Sequence, residues 1–157
     1  MTLWRKNISD YREALSQSLE GECQQNSKPH KLANRPQSQW KKPKFGTIKM
    51  NTDAAWCRSS LRAGVGWVGR DFAGLLQTAG RSGSGFCHSA AAAEACAIRS
   101  ALLACIDNGF NNVVIESDAL VIIQMLKKES TQDYSIECIL GDIEILVQRF
   151  CDVFVYA

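Results

Sequence analysis

An α/β fold built on one mixed sheet is predicted by three features of the sequence. Between Gly46 and Gly80 the apolar residues recur with the period of two that strands require, interrupted by turn residues. From Ser89 onward, helical patterns alternate with short β-branched runs, as expected of crossover units feeding a partly parallel sheet. The chain has 157 residues, 46% of them hydrophobic, enough for one domain with a proper core and too few for two.

Taken in order, residues 8–21 (ISDYREALSQSLEG) predict a short helix with Tyr11, Leu15 and Leu19 on one side and Gly21 at its end. Its thin apolar face makes it marginal. A linker rich in Gln, Asn, Ser and Pro follows to residue 44. From Cys23 to Lys44 it carries Lys28, Lys31, Arg35, Lys41, Lys42 and Lys44 and no acid, so it is either a solvated spacer or a segment that tracks a phosphate backbone. Residues 1–44 are therefore set apart from a compact domain over 45–157.

In the first strand Ile48, Met50 and Thr52 face one way and Lys49, Asn51 and Asp53 the other, the pattern of a half-buried strand. A second strand over 63–70 turns through Asp71-Phe72-Ala73-Gly74 into a third over 75–80, an antiparallel hairpin. A glycine and serine loop, 81–85, closes this meander. An alanine-rich helix over 89–109 stops at Asn108-Gly109. The run 113–116 is a strand covered on both faces. Helices over 119–129 and 135–150 come next, the second burying Ile136, Ile139, Leu140, Ile143, Leu146, Val147 and Phe150. A last strand, 153–156, gives the order β-β-β-α-β-α-α-β: three antiparallel strands, then parallel crossover strands.

Bulk properties narrow the function. A net charge of +2 points to no class of partner by itself. No apolar run reaches membrane length and the N-terminus lacks the apolar stretch of a secretory signal, so the expectation is a soluble protein, nuclear or cytoplasmic, without a membrane partner. Nothing in the sequence sets an oligomeric state. The seven cysteines include no C-x-x-C pair, which argues against a disulfide framework and against zinc. Cys87 beside His88 is a weak nucleophilic pair, because sequence neighbours point apart in a strand or loop. Gly64-Val65-Gly66-Trp67-Val68-Gly69 matches G-x-G-x-x-G, but it runs into a hairpin rather than a helix, so a dinucleotide site is rejected. Those glycines mark a place where a neighbouring backbone or helix comes close.

Three carboxylates carry the chemistry. At about 100° per residue, Glu94 lies on the same side of its helix as Ile98, Ala101, Leu102 and Cys105, while Arg99 and Asp107 point elsewhere. An acid on the face that packs on the sheet needs a cation, a positive partner or a raised pKa, unless it is a first-turn acid reaching solvent. Glu116-Ser117-Asp118 separates two apolar runs, and two readings stand: Ser117 or Asp118 caps the next helix, or an acid sits where ligands gather at the carboxyl end of a parallel strand. Asp53 alone is an ordinary strand-end acid. If its strand is central and lies beside 113–116, Asp53, Glu94 and Asp118 converge. Carboxylates without Cys or His are hard oxygen ligands, suited to Mg²⁺ or Mn²⁺. A pair of such ions ~3.5–4 Å apart can activate water and stabilise a leaving oxygen at phosphate.

The segments WKKPKFGTIKMNTDAAW (40–56), AGVGWVGRDFAG (63–74), AAAEACAIRSALLACIDNGF (91–110), VVIESDALVIIQML (113–126) and IECILGDIEILVQRF (136–150) together resemble the ribonuclease H superfamily, specifically the plant ribonuclease H-like domain of non-LTR retroelement reverse transcriptases. The resemblance implies a five-stranded mixed sheet flanked by helices, an Asp-Glu-Asp-Asp metal site, and metal-dependent endonuclease cleavage of the RNA strand in an RNA-DNA hybrid. Asp53, Glu94 and Asp118 match the first three acids as catalytic and metal-binding residues, which leaves Ser117 as the better cap. Ala54 stands where the family often has Gly. The fourth acid belongs to a C-terminal helix after the fifth strand, in a stretch like R-x-x-N-x-x-A-D, whereas this sequence stops at Val155-Tyr156-Ala157 and Asp152 precedes that strand. The expectation is a domain truncated at its C-terminus with the last helix missing, acting as a Mg²⁺- or Mn²⁺-dependent nuclease. The alternative is a catalytically inactive, retroelement-derived nucleic-acid-binding domain. A purely structural domain would leave Glu94 facing inward for no reason.

Overall fold

Strand β1, Ile48–Trp56, is the centre of a five-stranded sheet with the order β3-β2-β1-β4-β5 in a computed structural model that describes residues 40–131 and 133–156. Strands β2 (Arg62–Arg70) and β3 (Leu76–Phe86) extend the sheet antiparallel on one side. On the other side β4 (Asn112–Ser117) and β5 (Asp152–Tyr156) run parallel to β1. Helix α1, Ala90–Asp107, packs on β1 and β2; helices α2 (Leu120–Leu126) and α3 (Glu137–Val147) complete the layer. None of the described helices is long and apolar enough to cross a membrane. The helix expected at 8–21 and the linker up to residue 39 lie outside the described residues.

The element order expected from the sequence is observed, and local chemistry explains most boundaries. Ser89 caps α1, its hydroxyl accepting from the Ala92 N–H at 3.1 Å, and Gly109, at φ +71, ends the helix in the left-handed conformation that glycine tolerates. Met50, Ile98, Leu102, Ile115, Ile122, Leu140 and Ile143 form the core between sheet and helices. Of the apolar face read for 135–150, Ile136, Leu140 and Ile143 are buried, while Ile139, Leu146, Val147 and Phe150 pack around them. Asp133 holds the short 3₁₀ turn Tyr134–Ile136 ahead of α3, and its hydrogen bonds from Ser135 keep its carboxyl below the usual range.

Several expectations are corrected. Strand β1 is buried on both faces: Lys49 is 1% and Asn51 4% exposed, because the polar face is covered by Trp40 and closed by ion pairing. Strand β4 instead buries one face, Val113, Ile115 and Ser117, and leaves Val114 and Glu116 half-covered. The stretch 81–85 is no loop. It continues β3, with Arg81 opposite Gly66, Ser82 opposite Val65 and, past a register shift, Gly85 opposite Ala63, since β2 extends far enough to pair with it and tertiary pairing overrides weak strand propensity. Helix α2 is shorter than 119–129 because Lys128 turns left-handed at φ 60.

Of the β2 glycines, Gly69 is hemmed in by side chains of the neighbouring strands. A Cβ at Gly69 would stand 2.5 Å from Met50 Sδ and 2.7 Å from Thr78 Cγ2. Met50 is fully buried and cannot retreat. Gly69→Ala is therefore expected to destabilise the protein by roughly 1–3 kcal/mol, read as a lower midpoint in urea unfolding with an unchanged slope.

A candidate metal centre at the ends of two parallel strands

The register of β1 and β4 places the acids. Ile48 lies opposite Val113 and the pairing runs to Thr52 opposite Ser117, so one further step brings Asp53 and Asp118 side by side at the carboxyl ends of neighbouring strands. Helix α1 supplies the third. Counting from Ser89, Glu94 falls in the second turn, outside the first turn where a helix dipole would hold an acid. It is half-buried, on the face of Ile98, Ala101, Leu102 and Cys105, and its Oε2 is shielded from solvent. Each of Asp53, Glu94 and Asp118 offers an oxygen within 4.8 Å of the other two. Asp53 is half-buried and Asp118 exposed, so the cluster opens to water on one side. Asp53 Oδ1 accepts from the Ala54 N–H at 2.9 Å, which orients that carboxylate through its own backbone.

Both readings of Glu116-Ser117-Asp118 are settled in part. Ser117 Oγ accepts from the Ala119 N–H at 3.2 Å, a turn contact just ahead of α2, and no side chain caps the helix itself. Asp118 joins the acid cluster instead.

A second polar group beneath the acids was not legible in the sequence. Lys49 Nζ pairs with Glu116 Oε1 at 2.9 Å, donates to the Lys41 carbonyl at 3.0 Å and sits 5.5 Å from the Trp40 ring centroid. Asn51 Nδ2 donates to Glu116 Oε2. Glu116 is thus matched by a buried cation and stands apart from the cluster two residues on. The only hint in the sequence is that Lys49 and Asn51 alternate on one face, in register with Glu116 once the strands are known to be neighbours.

The remaining candidates fall away. His88 Nε2 lies 3.0 Å from Ser135 Oγ, and burial together with the nearby Cys96 pushes the Cys87 thiol up to about 11, so no Cys-His nucleophile forms. Burial pushes Cys105 up to about 12. At pH 8 a disulfide exchange reagent is expected to label the exposed Cys138 and Cys151 quickly and to leave Cys105 unmodified until the protein unfolds; prompt labelling of Cys105 in the native state would contradict its place in the core.

A central strand flanked by an antiparallel pair and a parallel pair, with acids at the carboxyl ends of β1 and β4 and on the first crossover helix, defines a ribonuclease H-like domain. The chain belongs to the Reverse transcriptase-like family, which it matches over residues 51–155. Among solved structures it is similar to ribonuclease H1 of the halophilic archaeon Halobacterium salinarum, with 24% identity over 71% of this chain and 84% of that one and a TM-score of 0.65. It is also similar to the N-terminal RNase H domain of a Mycobacterium tuberculosis protein (12% identity, 69% and 78% coverage, TM-score 0.63). A third is LC11-RNase H1, isolated from compost and solved with an RNA/DNA hybrid (17%, 69% and 83%, 0.61). At these identities the likeness establishes the fold. No curated protein matches the chain.

Proposed function

We propose that the protein is a metal-dependent endonuclease of the ribonuclease H type, hydrolysing the RNA strand of RNA-DNA hybrids, with Asp53, Glu94 and Asp118 as metal ligands and catalytic residues. One observation carries this reading: Glu94 is turned from α1 onto the sheet, to within 4.8 Å of two acids from distant parts of the chain. Like charges so placed repel, and a shared cation relieves that repulsion. The donor set fits Mg²⁺ or Mn²⁺, because all three groups are hard carboxylate oxygens and, among the described residues, no Cys or His joins them. When bound, such ions supply Lewis-acid stabilisation at phosphate and a water of lowered pKa. The chain's own part is to hold three carboxylates ready: Asp53 through the Ala54 N–H, Asp118 through the strand register, Glu94 through the packing of α1. The hybrid-bound neighbour supports the choice of substrate.

The test is a hybrid labelled on each strand, incubated with Mg²⁺ or Mn²⁺. Cleavage of the RNA strand alone is expected, and none in chelator. The other reading of this fold is a nucleic-acid-binding domain that does not cut. Hybrid bound but uncut with either ion would decide for it.

A further inference from the structure

At the amino end of β1, away from the acids, two turns meet. The Thr47 N–H donates to the Lys44 carbonyl at 3.1 Å, and Gly46, at φ +77, takes the position of that turn that favours glycine. Phe45 is left at the tip, 84% exposed. The β2–β3 turn closes likewise, Gly74 N–H to the Asp71 carbonyl at 2.9 Å, and presents Phe72, 42% exposed. The two rings lie 4.8 Å apart between centroids, tilted by 59°. Together with Asn111 and Asn112 they line an open cavity of about 410 Å³.

Next to this aromatic pair the chain reads Trp40-Lys41-Lys42-Pro43-Lys44. Lys41, Lys42 and Lys44 are exposed, and none of them forms an ion pair among the described residues. Their backbone is held in place, since the Lys41 carbonyl accepts from the buried Lys49. Asp71 is committed to its own turn, accepting from the Ala73 and Leu75 N–H groups and from Gln77. Even counting Asp71 and Asp152, which lies opposite Asn112, the lysines outnumber the acids here.

We propose that Phe45 and Phe72, with Lys41, Lys42 and Lys44, form a binding site for single-stranded nucleic acid, the rings stacking on bases and the lysines running along phosphates. Charge complementarity selects this occupant: exposed aromatic faces interleaved with unpaired cations are the combination that holds single strands with little sequence preference. The site stands apart from the acid cluster. Five steps of strand β1 separate Ile48, which lines the cavity, from Asp53, roughly 17 Å at strand rise, so a strand held here is held outside the region of hydrolysis. The inference does not depend on cleavage.

The experiment is fluorescence anisotropy of labelled 20-nucleotide oligothymidylate and oligouridylate with the full chain, in chelator, across a salt series. F45A/F72A is expected to weaken binding on the order of tenfold to a hundredfold. Replacing Lys41, Lys42 and Lys44 by Gln should lower the salt slope by about two. Asp53→Asn should bind as the parent does, which separates this site from the proposed catalytic one. The single F45A variant, at a nearly fully exposed position, keeps the test valid if the double variant folds poorly, and it should show a weaker loss of the same kind. The proposal is overturned by parental affinity in F45A and F72A, by no measurable binding at low salt, or by equally tight binding of a polyglutamate peptide that the phenylalanine changes do not affect.

Discussion

Asp53→Asn is expected to lower hybrid cleavage by two to three orders of magnitude or more while the protein stays folded. Asparagine has nearly the shape of aspartate and retains an oxygen for the Ala54 N–H, so the local turn survives. What is lost is an anionic ligand from a cluster of three. A ligated ion contributes several kcal/mol of charge stabilisation in the transition state, and each ~1.4 kcal/mol is tenfold in rate. Stability should be unchanged or slightly higher, since one of three mutually repelling charges has gone. Rates from single-turnover cleavage, with unfolding curves for both proteins, check this. Equal cleavage by parent and variant would remove Asp53 from the chemistry.

Lys49→Met is expected to destabilise the fold by about 3 kcal/mol, the lower end of the range for breaking a buried ion pair, because the Glu116 side chain is 27% exposed and keeps some hydration. The loss should lie in the uncompensated carboxylate and not in the missing ammonium. Adding Glu116→Gln removes that charge and leaves an acceptor for Asn51, so the double variant should recover to within about 1 kcal/mol of the parent. Denaturant titrations of the two single variants and the double variant measure the coupling. Additive losses would mean that Lys49 acts through packing under Trp40 and not through charge.

Different residues of the site were legible for different reasons. Glu94 stood out because a helix has one repeat and an acid on its apolar side breaks the pattern. Asp53 carried no such signal, and its significance came only from the placement of β1 beside β4. Lys49 was hidden by the same alternation that revealed its strand: a polar residue at every second place reads as a solvated face, and nothing local distinguishes that from a polar face closed by its own ion pair with Glu116. The continuation of β3 through Arg81–Gly85 was hidden similarly, since glycine and serine signal a loop while the pairing that makes them a strand is supplied by β2, far away in sequence. Helix α1 and the apolar side of α3, set by local periodicity and capping, were readable directly.

Crystals grown with Mn²⁺, examined for anomalous scattering, test most directly whether the acids share a cation. A peak about 2.1 Å from an oxygen of each of Asp53, Glu94 and Asp118 is the predicted result; a map without a peak between them, or with manganese bound to Asp118 alone at the surface, would contradict it.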